Sequence, residues 1–343
     1  MTAPSAKLHL VIPGLLGPMP NLASAGIRLS VPTLERLLSR ADRRPVMGED
    51  FPTTLFSRFE VSSSEGQDLP EGAVSYLGEG GDVEDACWMR ADPVHLRADR
   101  DRLLLFNAEP LRITLPEAER IAEQFNQHFA EDNIQLLTPN PARWYLRLDH
   151  CPELTTHSHG KLVGRHIEPF MPAGKDARRW RQLNNEMQML LFQSAVNQQR
   201  EVEGRLSING LWLSGVGYLP EVGPVAYRKV YADDPLALGL AKIVDVPTAA
   251  VPDDYATLWE EGEESLLVLT GLVAPVLNAD PVRWAEGMQA LEGKLESLIK
   301  RMPRLEKNSC VQLYPCNGQC YSITPGSWRR FWRRLKKIHG FVG

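Results

Sequence analysis

Long apolar runs are missing from this 343-residue sequence. None approaches the ~18–20 residues that a bilayer-spanning helix needs, so no integral membrane segment is expected. Cysteine is scarce as well. Five cysteines, an odd number in a chain of this size, do not make a disulfide framework, and reduced thiols in the cytoplasm are the expectation. The first apolar stretch follows a single cation and is broken by Pro13 after about six residues, too short for the apolar core of a secretory signal. Low-complexity segments and repeats of fixed period are absent.

Positive charge is not in excess. Lys and Arg number 38 against 43 Asp and Glu, a net charge of −5. Six of the cations (Arg329, Arg330, Arg333, Arg334, Lys336 and Lys337) crowd one short stretch without a carboxylate, and removing them from the count leaves −11 for the rest. An acidic body with a basic tail argues against a general nucleic-acid binder, which carries its positive field on the folded domain.

The sequence does contain short apolar runs alternating with long amphipathic patterns. Leu8–Ile12, Gly210–Leu213, Ser265–Leu269 and Val311–Tyr314 read as buried parallel strands. Asp280 as N-cap and Pro281 at the first helical position open a helix carrying Trp284, Met288, Leu291, Leu295 and Leu298. A second helix is expected over about 176–202, with Trp180, Leu183, Met187 and Leu191 inward, and a third over 116–130. This alternation indicates an α/β protein with a mainly parallel sheet. The stretch 102–148, read as strand, helix and two strands, indicates a smaller α+β unit.

Catalytic motifs are incomplete. Gly215-Val216-Gly217 follows a strand, but Pro220 stands where a dinucleotide fingerprint has its third glycine, so a tight turn is expected there. His157, His159 and His166, with His150 and Cys151 nearby, match no common zinc spacing, and neither do Cys310, Cys316 and Cys320, which read as buried thiols. There is no G-x-S-x-G elbow. The ends of the four predicted core strands (Pro13-Gly14, Ser214-Gly215, Thr270-Gly271 and Pro315-Cys316) supply no carboxylate or imidazole for a two-metal centre. The best-defined polar constellation is Asn197 and Arg200, one helical turn apart, followed by Asn209. Arg200 either grips a phosphate or carboxylate with its planar fork, or pairs locally while Asn197 ends the helix. The residues leave both readings open.

That segment carries a family resemblance. Ala195–Arg200, Gly204 and Ser207–Gly217 resemble the "PVNxxR…G…PANxIWLWGxG" stretch of archaeal-type cofactor-independent phosphoglycerate mutases, of the alkaline phosphatase superfamily. Leu8–Gly17 resembles their first strand and "DGLGD" loop, Pro32–Leu38 their "TPNLDxLA" helix, and Ser265–Pro275 their "DFVFVHVEAPDEAGH" segment. Trp88–Arg97 and Phe331–Arg334 resemble a bacterial set labelled RpfE-type regulatory or phosphoglycerate mutase. The resemblance implies an alkaline phosphatase-like core over 1–90 and 181–343, interrupted by an α+β insert over 91–180. It also implies that Asn197, Arg200 and Asn209 lie by an anionic ligand. The departures bear on activity: Pro13 falls at the first metal-binding Asp, no serine of Glu71–Tyr76 falls at the nucleophile, and Val276–Asp280 lacks the "DEAGH" histidine. The "DH" metal pair falls near Pro315-Cys316. The expectation is a catalytically degenerate relative without cofactor, binding a phosphorylated or carboxylated metabolite or a protein partner in a regulatory role. The alternative is an active mutase or phosphatase holding two divalent ions, Mn or Zn, through ligands such as Asp149, His157 and His159.

The tail, 327–343, places Trp328, Phe331, Trp332, Leu335 and Ile338 at helical spacings with Arg329, Arg330, Arg333, Arg334 and two lysines around them. A helix here would suit an anionic membrane surface, and a partner protein or RNA could use the same face. The expected use is internal: the aromatic face packs on the protein's own core and the cations meet its acidic body.

Overall fold

The structure is a computed structural model, describing residues 6–17, 22, 25–62, 67–99, 102–158, 160, 166–259 and 264–341. His159 lies outside them. The chain opens with β1 (Lys7–Val11), α1 (Pro32–Arg40), β2 (Asp42–Pro45) and α2 (Phe51–Arg58). It continues through α3 (Glu71–Gly78), β3 (Cys87–Asp99), β4 (Arg102–Phe106), α4 (Leu115–His128), β5 (Ile134–Asn140), β6 (Arg143–Leu148), α5 (Ala177–Gln193), α6 (Ala195–Val202) and β7 (Gly210–Gly217). The last stretch holds β8 (Lys229–Tyr231), α7 (Pro235–Ile243), β9 (Thr248–Ala249), β10 (Glu264–Val268), α8 (Val273–Leu277), α9 (Pro281–Arg301), β11 (Cys310–Tyr314), β12 (Gln319–Ile323) and α10 (Pro325–Trp328). Two compact units result, Met1–Glu60 with Val222–Gly343, and Val61–Glu221.

The first unit holds a seven-stranded sheet of order β2-β12-β11-β1-β10-β8-β9. β1 pairs in parallel with β10 and β11, and β8 continues the parallel run. Only β12 and β2, at one edge, are antiparallel. Leu8, Leu10 and Ile12 alternate onto one face and pack with Leu34 and Leu37 of α1 and with Trp284, Met288, Leu291, Leu295 and Leu298 of α9. Asp280 caps α9 as its sequence predicts, its Oδ1 accepting from the Val282 and Arg283 N–H groups at 3.1 and 3.0 Å.

The second unit is an antiparallel sheet centred on β3, which pairs with β4, β6 and β7. β7 was expected as a core parallel strand. Its apolar run arises instead because it is buried on both faces of the smaller sheet, Leu211 and Leu213 in one cluster and Trp212 in another. With α5 and α6 also packed in this unit, the boundaries fall at 60/61 and 221/222 rather than at 90/91 and 180/181. The helix expected over 176–202 is two helices, because Ser194 is extended (φ −63°, ψ 132°) and its hydroxyl caps Val196 N–H. One disulfide is present where none was expected, Cys87–Cys151, with Cα atoms 5.2 Å apart. Cys310, Cys316 and Cys320 are free and buried, as predicted.

The tail departs from its expected form. Its helix ends at Trp328, and beyond it come turns, extended backbone and a final 3-10 turn at Ile338–Gly340.

Local electrostatics pin α4. Glu117, three residues after Thr114, accepts from Thr114 N–H at 2.8 Å, from Arg205 at 2.9 and 3.1 Å, and from Arg200 at 2.8 Å. Burial works to raise its pKa, but these donors outweigh it and hold the carboxyl down from 4.5 to about 2. A depressed carboxyl stabilises the fold fully above its unfolded value, and that contribution drains away as pH falls from 4.5 toward 2. Urea unfolding at pH 7 and pH 3 should therefore show a smaller acid-induced loss in Glu117→Gln than in the wild type. The difference is at most about 3 kcal/mol, and equal losses would rule out the clamp.

Candidate functional site

Open α/β sheets bind ligands beyond the carboxyl ends of their parallel strands. Here β1 ends into Ile12, β8 into Ala232-Asp233, and β10 into Leu269-Thr270-Gly271. A cavity of about 500 Å³ opens at this edge, within the first unit, a volume suited to a small organic ligand. Ile12, Val251, Leu269, Leu272 and Leu291 give it apolar walls, while Asp233, Thr270 and Lys294 bring its polar groups. Gly287, Leu291 and Lys294 come from one face of α9, at successive spacings of four and three. Gly287 permits the approach of the loop after β10: a Cβ there would stand 2.8 Å from the Leu272 side chain.

Lys294 supplies the charge. Its Nζ lies 5.4 Å from the Tyr255 ring centroid and 3.9 Å from the Oδ1 of fully exposed Asp253, a weak pair that leaves the ammonium available. Burial pushes the Tyr255 phenol up to about 12, so it stays neutral beside the cation. Among the described residues the lining contains no cysteine or histidine. Such a cavity can orient an anionic group on Lys294 and Thr270 against apolar walls.

A two-metal centre does not fit these residues. Asp234 spends its Oδ1 on the Leu236 and Ala237 N–H groups at 3.0 and 3.3 Å, as the N-cap of α7. The strands β1, β10 and β11 run into Ile12-Pro13, Leu269-Thr270 and Pro315-Cys316, none a carboxylate or imidazole. Burial pushes the Cys316 thiol up to about 12, so it stays protonated. His157 packs edge-on against Phe170 with centroids 5.4 Å apart, and Asp149 is exposed. Among the described residues, no group of three or more His, Cys, Asp or Glu is placed to hold a metal ion.

The constellation singled out in the sequence, Asn197, Arg200 and Asn209, lies in the second unit and is engaged internally. Arg200 is 0% exposed. Its Nε donates to Leu206 O at 2.8 Å, one Nη to Glu117 at 2.8 Å, and the other Nη to Leu111 O at 2.5 Å. Asn197 donates to Leu191 O and Ile208 O at 2.7 and 2.8 Å and accepts from Ile208 N–H at 2.8 Å. Asn209 bonds both backbone groups of Leu96, at 2.6 and 2.8 Å. Neither reading that the sequence left open is met in full: Arg200 is paired within the protein and withdrawn from ligands, but its partners Glu117 and Leu111 lie 83 and 89 residues away, and Asn197 sits in the first turn of α6 rather than at a helix end.

Gly215 is likewise structural. Its φ of +64° and the Glu71 Cβ only 2.5 Å from where its own Cβ would stand demand glycine, and its N–H donates to Thr156 Oγ1 at 2.9 Å. Beside it, Arg90, which the sequence did not single out, is buried between Asp92 at 2.6 Å and Glu71 at 3.4 Å, with Tyr145 beneath it at 5.8 Å. Sequence reasoning also missed the cavity. Its one early signal is Asp233-Asp234-Pro235, a helix-start signature after a strand only three residues long.

Truncating Arg200 is therefore a folding lesion. Arg200→Ala removes one of the donors on Glu117 and leaves the buried Leu111 carbonyl and the Leu206 carbonyl without theirs, and the expected loss is about 3 kcal/mol, with Arg200→Lys restoring only part because an ammonium cannot reach three diverging acceptors. Urea midpoints measure it, and a midpoint unchanged in Arg200→Ala contradicts the structural role.

No family model and no curated protein matches the chain. Solved structures share its fold, among them the following two. The cofactor-independent phosphoglycerate mutase of Thermoplasma acidophilum DSM 1728 aligns with a TM-score of 0.50 at 14% identity, over 99% of this chain and 95% of that one. The PH0037 protein of Pyrococcus horikoshii aligns with a TM-score of 0.52 at 14% identity, over 99% of this chain and 92% of that one. The chain thus has an α/β fold of the alkaline phosphatase-like kind, shared with a cofactor-independent phosphoglycerate mutase.

Proposed function

We propose that this protein is a non-catalytic relative of the mutase fold. It binds a small phosphorylated or carboxylated metabolite in the cavity at the carboxyl edge of its parallel sheet and acts in a regulatory role, through a protein partner that senses the loaded state. The observation that carries this reading is the makeup of the cavity: a ligand-sized volume at the strand ends, where the fold places substrates, with Thr270 after β10 and Lys294 on α9 as its anion-binding groups. Fold alone does not carry function, and two-metal phosphoryl transfer needs ligands that clamp the attacking and leaving oxygens. Among the described residues no such group is assembled.

Thermal-shift titration with a panel of phosphorylated and carboxylated three- to six-carbon metabolites tests the proposal. At least one ligand should raise Tm saturably, as expected for binding to the native state alone. Losing the charge-assisted contact in Lys294→Ala should weaken it about ten- to a hundredfold, the equivalent of about 1.5–3 kcal/mol. Phosphoglycerate mutase assays with added manganese should stay at background. EDTA-sensitive turnover, or a ligand response indifferent to Lys294→Ala, overturns the reading.

A further inference from the structure

The C-terminal segment divides its charged and apolar groups in an unexpected way. Three of its six cations are used to hold it down. Arg330 and Arg333 pair with Asp42, the latter at 3.1 Å, and Lys337 pairs with Glu35 at 3.1 Å. Arg333 also donates to the carbonyls of Arg40 and Ala41 at 3.2 and 2.7 Å, and Ser39 and Glu35 accept from the Lys336 and Ile338 N–H groups. Trp328 is partly buried beneath Arg36 and Arg40, and Ile338 is in the core. So far this matches the internal role expected from the sequence.

Three residues of the aromatic face do the opposite of what was expected. Phe331 is 82% exposed, Trp332 69% and Leu335 55%, three large apolar side chains within five residues. Arg329, Arg334 and Lys336 are interleaved with them, exposed and without an ion pair among the described residues. The surface to which the segment is fastened adds Arg36, Arg40, Arg43 and Arg44, so the neighbourhood formed by 35–44 and 329–337 holds ten cations against two carboxylates, Glu35 and Asp42. Both carboxylates are neutralised by the tail itself. A body with net negative charge would repel an anionic surface, but at physiological salt charges are screened beyond about 8 Å. The local patch governs close contact.

We propose that this segment is an interfacial anchor that docks the protein on a bilayer bearing anionic headgroups. Phe331, Trp332 and Leu335 enter the headgroup–acyl boundary, and Arg329, Arg334 and Lys336 with the arginines of α1 and β2 meet the lipid phosphates. The segment is irregular backbone strapped to the body, so insertion is shallow and needs no folding on contact. A lipid surface fits better than single-stranded nucleic acid. The Phe331 and Trp332 rings stand edge to face at 81° with centroids 5.3 Å apart, offering no parallel platform for successive bases, and Leu335 brings an aliphatic group with no stacking role.

Co-sedimentation of the full-length protein with vesicles of mixed phosphatidylglycerol and phosphatidylethanolamine, against phosphatidylcholine alone, tests this. Expected are binding to the anionic vesicles only, a loss of about tenfold or more in partitioning on raising salt from 0.1 to 0.5 M, and a similar loss in Phe331→Ser/Trp332→Ser. Both side chains are exposed, so that variant should keep the wild-type Tm. Trp332→Phe should still bind but lose the fluorescence quenching that brominated lipid causes in the wild type. Absence of binding to anionic vesicles at low salt, or binding indifferent to the double substitution, overturns the proposal. So does tail-dependent capture of RNA or dimerisation with no vesicle binding.

Discussion

The hydrogen bonding of β1 between β10 and β11 is the constraint from which the rest follows. Residues 7–11 must find partners at 264–268 and 310–314, so the chain cannot build its central sheet from neighbours in sequence. Parallel pairing requires long crossovers, and each crossover here supplies a helix that covers the sheet. The longest excursion is large enough to bury its own core, and it closes as the antiparallel unit 61–221. The same constraint aligns the carboxyl ends of β1, β8 and β10, which opens the cavity at that edge.

Polar groups in the two units serve different ends. In the second unit they are paired within the protein: Arg200 and Arg205 on Glu117, Arg90 on Asp92 and Glu71. A guanidinium fully withdrawn from water carries a desolvation cost that pairing must offset, which leaves no donor face for a ligand. In the first unit Lys294 sits half-exposed on a cavity wall, held among the described residues by a ring and a solvent-exposed carboxylate. The contrast between a satisfied cation and an available one, rather than the motif in which each lies, separates structural from ligand-facing charge.

Much of the fold is legible in the sequence. Leu8–Ile12, Ser265–Leu269 and Val311–Tyr314 announce parallel strands, and Asp280-Pro281 with its periodic apolar residues announces α9, because burial on both faces of a sheet and on one face of a helix leaves different periods. β7 escapes this reading: a strand buried on both faces of an antiparallel sheet has the same apolar run as a parallel one. The short β8 and β9 escape because three or two residues carry no period at all.

The sequence by itself determined the alternation of strand and helix, the caps and the basic aromatic composition of the tail, since each depends on residues within a turn or two of one another. Only the tertiary structure decided which sheet received β7, whether Arg200 faced water or Glu117, and that Phe331, Trp332 and Leu335 point outward while Arg330, Arg333 and Lys337 are tied down. Those outcomes depend on partners far off in the chain. Leu111 and Glu117 reach Arg200 across 89 and 83 residues, and Asp42 reaches Arg330 across 288, so no local pattern can encode which way such a side chain turns.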